Sequence, residues 1–147
     1  MTDFTKTTLS FHPLKPIRFP LINRLYKAHY PAGKAKRDEI IWIGETTSEI
    51  VTVVRFQLSD DHQLLTGMLV APTFRQQGVG LALLEACRTQ LLSRRCFCFA
   101  FSHLEPLYQK AGFIVIDEVR LPASLANRLQ RYRSAGKSLI PMQYSPN

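Results

Sequence analysis

Apolar positions along this chain change period several times, and each change marks an element. Leu21, Ile22, Leu25, Tyr26 and His29 recur at helical spacing between Pro20 and Pro31, which predicts a short amphipathic helix closed by Pro31-Ala-Gly33. Ahead of it, residues 9–20 carry Pro13, Pro16 and Pro20 and read as extended or turning backbone. Beyond the basic loop 34–37, Ile40, Ile41, Trp42 and Ile43 predict a buried strand over Glu39–Glu45. Thr46-Thr47-Ser48 turns into the β-branched run Ile50–Leu58, and Ser59-Asp60-Asp61 turns again into His62–Ala71. These three strands form a meander. Gly67 interrupts the third, where a glycine marks a bulge or a close approach by a ligand.

From Gly78 to Arg95 the period is helical, with Gly80, Leu83, Leu84, Cys87 and Leu91 on one face. Arg94 and Arg95 are expected in the last turn, where the helix dipole favours cations. Cys96–Phe101 alternates as a strand. Pro106 suits a first helical position and Gly112 a helix stop, so Glu105 is expected to precede a short helix running through Ala111. A strand over Phe113–Val119, a helix from Pro122 to about Arg133 and a last strand over Ser138–Tyr144, despite Pro141, complete the pattern. A meander followed by alternating helix and strand predicts an α/β or α+β layer fold, and 147 residues are one domain by size.

Composition excludes several classes. The chain is 46% hydrophobic and 20% charged and has no apolar run long enough to span a bilayer, which predicts a soluble protein without a membrane partner. Met-Thr-Asp-Phe-Thr-Lys at the start lacks the apolar segment of a secretory signal, so a cytoplasmic location is expected. Three cysteines, an odd number, make no disulfide framework. Cys96 and Cys98 alternate with Phe97, Phe99 and Phe101 and read as core; a metal pair would want partners that only His103 could supply nearby, so no metal is expected. The net charge of +8 is uneven: residues 1–37 hold eight Lys/Arg against Asp3 (+7), residues 38–119 six against ten acidic residues (−4), and residues 120–147 five against none (+5). Basic flanks attract an anionic substrate, RNA or an acidic protein, or simply solvate the surface. No aromatic RNP sequence or GXXG loop supports the RNA alternative.

The segment joining the third strand to the long helix carries the chemistry. Val70-Ala-Pro72 ends a strand, and Gly78 and Gly80 open a helix. The first amides of a helix lack internal partners, the dipole adds positive charge there, and glycine removes the Cβ atoms that would hold a phosphate off. A phosphate-bearing cofactor is therefore expected at residues 75–81. A dinucleotide fingerprint starting at Gly78 fails, because Leu83 stands where its third glycine belongs. A Walker loop ending at Gly136-Lys137-Ser138 fails at Arg131.

What remains, Arg75-Gln-Gln-Gly78-Val-Gly80, resembles the acetyl-CoA motif R/Q-x-x-G-x-G/A of the GNAT superfamily of N-acyltransferases. Leu107-Tyr108-Gln-Lys-Ala-Gly112-Phe113 resembles the same family's L-Y-x-x-x-G-F segment, in the expected order. The resemblance implies a GNAT-like α/β (α+β) fold, a mixed and mostly antiparallel central sheet with helices on both faces, spanning residues 1–147 as a single N-acetyltransferase domain. It implies acetyl-CoA as co-substrate, transferred to a primary amine by direct attack on the thioester. Main-chain groups of Met68, Leu69 and Val70 would hold the acetyl carbonyl and pantetheine arm, and Gly67 is consistent with the strand splay this needs. Amides of Gln76, Gln77, Gly78, Val79, Gly80 and Leu81 would cradle the pyrophosphate, with Arg75 shaping the loop or meeting a phosphate. By residue type alone, Met68, Leu69 and Val70 are ordinary core.

Tyr108 corresponds to the family's frequent general acid, and a phenol and an alkyl thiol are close enough in acidity for proton transfer. The base stays open. The two central strands carry no Asp or Glu, and the nearest titratable groups are His103 and Glu105. His103 suits a base or relay at neutral pH, or it is surface while Ser102 or Glu105 caps the helix. A water chain or a deprotonated acceptor would also serve. In the family the acceptor lies between segments that here are residues 20–37 and 120–137, the two basic flanks. A small-molecule or peptide amine bearing negative charge is therefore the expected partner, with Arg128 and Arg131 as candidate contacts. A non-catalytic acyl-CoA-binding module and an acetyltransferase acting on an RNA-linked amine are the alternatives. The state is monomer or homodimer, with segment 138–144 able to pair with another chain.

Overall fold

The computed structural model describes residues 8–29 and 34–146; the expected helix stop at Pro31–Gly33 and the N-terminal hexapeptide lie outside them. Seven strands form one sheet in the order β1-β2-β3-β4-β5-β7-β6. They are β1 Ser10–Pro13, β2 Ile40–Glu45, β3 Ile50–Leu58, β4 His62–Val70, β5 Arg95–Phe101, β6 Phe113–Val115 and β7 Leu139–Tyr144. Every neighbouring pair is antiparallel except β4 and β5. Helices α1 Phe19–His29, α2 Val79–Ala86, α3 Arg88–Leu92, α4 Glu105–Ala111 and α5 Ala123–Ser134 cover both faces. Among the described residues no helix is long and apolar enough to cross a membrane.

Alternation along the strands sorts the core. Val54, Phe56, Leu65, Cys96, Cys98 and Ala100 face α2, α3 and α4 through Leu83, Leu84, Cys87, Leu91 and Tyr108. Ile41, Ile43, Val53 and Leu69 face the other way, onto Ile22 and Tyr26 of α1. Leu64, Phe97 and Leu139 share that second face with Leu125 and Leu129 of α5. The cysteines are thus packing residues, free and buried.

Four boundaries differ from the sequence expectation. Residues 10–13, expected only as extended or turning, pair as an edge strand with β2. The long helix breaks at Cys87 (φ −82°, ψ 9°), whose N–H is shared between the carbonyls of Leu83 and Leu84. It ends at Leu92, so Arg94 and Arg95 are not in its last turn. There the buried Gln63 side chain donates to the carbonyls of Gln90 (2.7 Å) and Arg94 (3.2 Å), which takes the acceptors a continued helix would need. β6 stops at Val115 rather than Val119 because of Pro141 in β7. Ile116 donates to the Pro141 carbonyl at 3.1 Å, but proline has no N–H to return, and the ladder ends. The segment expected to be free for pairing, 138–144, is held on both sides, by β5 and β6.

Candidate active site

The site begins with one extra residue in β4. Val53 pairs with Leu69 and Arg55 with Thr66, so Gly67 and Met68 together face Val54. This is the bulge expected at Gly67, which adopts φ +66°. Its carbonyl accepts the Tyr26 hydroxyl at 2.5 Å. A Cβ on Gly67 would run into Arg55 Nε and would stand 2.5 Å from the Tyr26 hydroxyl, so only glycine fits.

Past the bulge, β4 leaves β5. The two strands pair in parallel only from His62–Arg95 to Leu65–Cys98, and residues 66–70 then run without a β5 partner. Ala71 donates to the Val51 carbonyl at 2.8 Å on the β3 side. By strand alternation, Met68 and Val70 turn their main-chain groups to the opposite side, into the gap. Val70 O is taken by Arg75 Nε at 2.9 Å, which folds the Arg75 side chain back over the strand end.

Two cavities meet at this gap. The first, about 750 Å³, is walled by Met68, Leu69 and Val70 of β4, by Phe74, Arg75, Gln76 and Gly78 of the connecting loop, and by Val79, Gly80 and Leu81 of α2. His103, Leu104, Leu107 and Lys110 close it. The second, about 610 Å³, lies on the other side and includes Tyr108, Phe99, Arg55 and Gln57. Met68, Leu69, Arg75, His103 and Leu104 line both.

The first cavity has the features an anion needs. Gln76 (φ 62°) and Gly78 (φ 80°) both take left-handed backbone, which bends the loop into the start of α2. Ala82 makes the first helical bond, to the Gly78 carbonyl, so the amides of Val79, Gly80 and Leu81 precede any internal acceptor. No acidic side chain stands in that turn. Gly80 lets the helix approach the sheet: a Cβ there would lie 3.1 Å from Met68 Cε and 3.4 Å from Val70 Cγ2. This cradle fits the pyrophosphate of CoA, and the groove along β4 fits its pantetheine arm.

Of the ten cofactor contacts expected from sequence, nine line the first cavity. Gln77 does not; its side chain donates to the Thr73 carbonyl at 3.0 Å and stiffens the loop. Tyr108, 5% exposed, sits on the second cavity and packs edge-on against Phe113 at 5.6 Å. His103 is exposed at the junction and stacks on Phe101 at 6.0 Å. Glu105 lines neither cavity and accepts from Gln109 at 2.8 Å along α4. Both basic flanks reach the second cavity, through His29 and Lys34 from one and Tyr132 and Lys137 from the other. Arg128 stands behind the wall and donates to Gln57, while Arg131 is exposed outside it.

Sequence reasoning missed the charged floor of the second cavity. Arg55, 6% exposed, donates through Nη1 to the Lys34 carbonyl (2.6 Å) and to Glu39 (2.9 Å), and lies over the Tyr26 ring at 5.0 Å. Gln57 donates to the other Glu39 oxygen at 2.9 Å. The signal was a lone cation within the apolar run of β3.

Comparison with known proteins agrees with this geometry. Residues 37–115, just over half of the chain, match the family model described as an acetyltransferase (GNAT) domain. No curated protein matches in sequence. Among solved structures, the ribosomal-protein-S18-alanine N-acetyltransferase of Escherichia coli superposes with a TM-score of 0.66 at 16% identity, over 95% of this chain and 96% of that one. The N-acetylglutamate synthase of Neisseria gonorrhoeae, complexed with coenzyme A and N-acetyl-glutamate, gives 0.66 at 17% over 95% of this chain, which spans only 35% of the synthase. A GNAT family acetyltransferase from Elizabethkingia anophelis with acetyl-CoA bound gives 0.61 at 14%, over 93% and 97%. At these identities the superpositions speak for the fold, and the family model speaks for membership. The chain belongs to the GNAT family of acetyltransferases.

Proposed function

We propose that the protein transfers an acetyl group from acetyl-CoA to the primary amine of a small molecule or peptide, by direct attack across the β4–β5 gap. The observation that carries this reading is the meeting of two cavities at that gap, one suited to CoA and the other open to an acceptor. Acetyl-CoA supplies the activated acetyl group. The chain does the rest. The loop from Arg75 to Leu81 holds the pyrophosphate, and the main-chain groups of Met68 and Val70 orient the acetyl carbonyl in the gap. The acceptor nitrogen loses one proton before attack, and in this reading its uptake or relay falls to His103, which lines both cavities. As the N–C bond forms and the C–S bond breaks, the nitrogen gives up its second proton, which restores the Tyr108 phenol after that group has protonated the sulfur. Tyr108 Oη gives a proton to the departing sulfur, so the balance is one amide, one thiol and one released proton.

Tyr108→Phe tests the assignment. Acetyl-CoA affinity by calorimetry should be kept, while kcat in a CoA-release assay should fall about a hundredfold or more. Unchanged kcat would remove Tyr108 from the mechanism. Acetyl-CoA binding with no CoA release from any amine class would instead favour a non-catalytic acyl-CoA-binding module.

A further inference from the structure

Separate segments of the chain bring cations to the wall of the second cavity. Lys34, Arg55, Arg75 and Lys137 stand there beside the imidazoles of His29 and His103, and among the described residues no carboxylate does. Glu39 is buried behind Arg55 with its oxygens already taken by Arg55, Gln57 and the Lys36 amide (2.6 Å). Among the described residues, Lys34 and Lys137 form no ion pair. Lys137 is nevertheless positioned, with Nζ 5.1 Å from the centre of the Tyr132 ring, which itself meets Phe99 edge-on. Lys34 is tied beside Arg55 through its carbonyl. Arg55 itself keeps a buried Nε with no hydrogen-bond partner.

A plain amine is a cation at neutral pH, and this cleft would repel it. An acceptor that carries its own anion would be drawn in. We infer that the acceptor is a small primary amine bearing a carboxylate, with the carboxylate held between Lys34 and Lys137 above Arg55. This rests on the acetyl-transfer reading of the same site. The cations lie within a cavity of about 610 Å³, which is the scale of a small ligand rather than of a nucleic-acid track. The same positive field favours the neutral form of the amine, which eases attack where no carboxylate base stands on the wall.

The test follows CoA release by the intact chain with the proteinogenic amino acids, their α-carboxamides and the corresponding decarboxylated amines. At least one acid should be used with kcat/KM about tenfold or more above its carboxamide. Lys34→Gln and Lys137→Gln should each raise KM for that acid several-fold while leaving kcat and acetyl-CoA affinity in place. Equal use of carboxamide and acid, or unchanged KM in both variants, overturns the inference and leaves acetyl transfer standing. An aminophosphonate preferred to the matching amino acid overturns the carboxylate assignment, and an aminoacyl-tRNA preferred to the free amino acid overturns the small acceptor. If no amine is turned over, acetyl transfer fails. The inference is then read from binding of N-acetyl-amino acids and their carboxamides to the CoA-loaded protein, where equal or absent binding overturns it.

Discussion

Replacing Gly67 by alanine tests whether the β4 bulge is required by geometry or only tolerated, and Gly136 supplies an internal control. Both glycines have positive φ, +66° and +89°. A Cβ on Gly136 would meet nothing within 4 Å, so Gly136→Ala carries the backbone cost alone, about 1–2 kcal/mol. At Gly67 the same methyl group enters a space bounded by Arg55 Nε, the Tyr26 hydroxyl at 2.5 Å and Arg55 Nη2 at 2.9 Å. Tyr26 is fully buried and Arg55 nearly so, so neither can swing into solvent. Crowding of this kind adds about 1–3 kcal/mol, for a total of about 2–5 kcal/mol. With a urea slope of about 2 kcal/mol/M, Gly136→Ala should lower the midpoint by about 0.5–1 M and Gly67→Ala by about 1–2.5 M. Only Gly67→Ala should also raise the KM for acetyl-CoA, because relief of the clash straightens β4 where it borders the cofactor cavity. Equal urea shifts for the two variants, or a Gly67→Ala protein with unaltered KM, would refute the reasoning.

Three further outcomes follow from the packing. Arg55→Met leaves Glu39 buried without its cation and should cost about 3–5 kcal/mol in urea unfolding, while the added change Glu39→Gln should recover much of it; a single-variant cost near zero would mean the pair is dispensable. Glu45 is held below its ordinary carboxylate value, first by hydrogen bonding from Arg18 and also by His12. Its contribution is therefore full above the unfolded value and is lost as pH falls through the lowered folded value, so Glu45→Gln should lower stability at neutral pH, flatten the curve below about pH 4.5 and converge with the parent in acid; an unchanged stability at pH 7 would refute the assignment. Burial pushes the Cys87 thiol up to about 12 and raises Cys96 and Cys98 as well, so a thiol reagent at pH 8 should modify none of them in the folded protein and all three in denaturant; rapid labelling of the native protein would contradict the core assignment.

Much of this architecture was readable along the chain because its causes are local. Period-two and helical patterning, with glycine and proline at the breaks, located every helix and every strand but the edge strand β1, and Gly67 announced its own bulge. The left-handed loop and the open amides at the start of α2 were legible for the same reason: consecutive backbone in one loop makes them. The misplaced boundaries have distant causes. β6 is cut short by a proline across the sheet, and the end of α3 is set by Gln63, which arrives from β4. The second cavity was the least legible part. Lys34, Arg55 and Lys137 belong to three separate segments and converge only once the sheet order is known. Arg55 alone left a trace, as a cation in an apolar strand. The basic flanks do reach the second cavity, but through Lys34 and Lys137, whereas Arg128 stands behind its wall and Arg131 outside it.

The bulge links these observations, because one inserted residue reverses which face each later side chain takes. Leu65 faces the α2 side; in an unbroken strand Met68 would then face α1 and Leu69 would face α2. After Gly67, Met68 instead packs with the α2 cluster and approaches Gly80, while Leu69 joins Tyr26 and Ile22 on the α1 side. That exchange keeps the apolar surface of both faces complete while β4 turns away from β5. It also places the Tyr26–Gly67 hydrogen bond and the Arg55 guanidinium at the pivot. The Arg55–Glu39 pair on the floor of the second cavity therefore borders the same bulge from which β4 leaves β5. Perturbing Arg55 should move acceptor KM and strand geometry together, whereas Lys34 and Lys137, exposed on the cavity wall, should move acceptor KM alone.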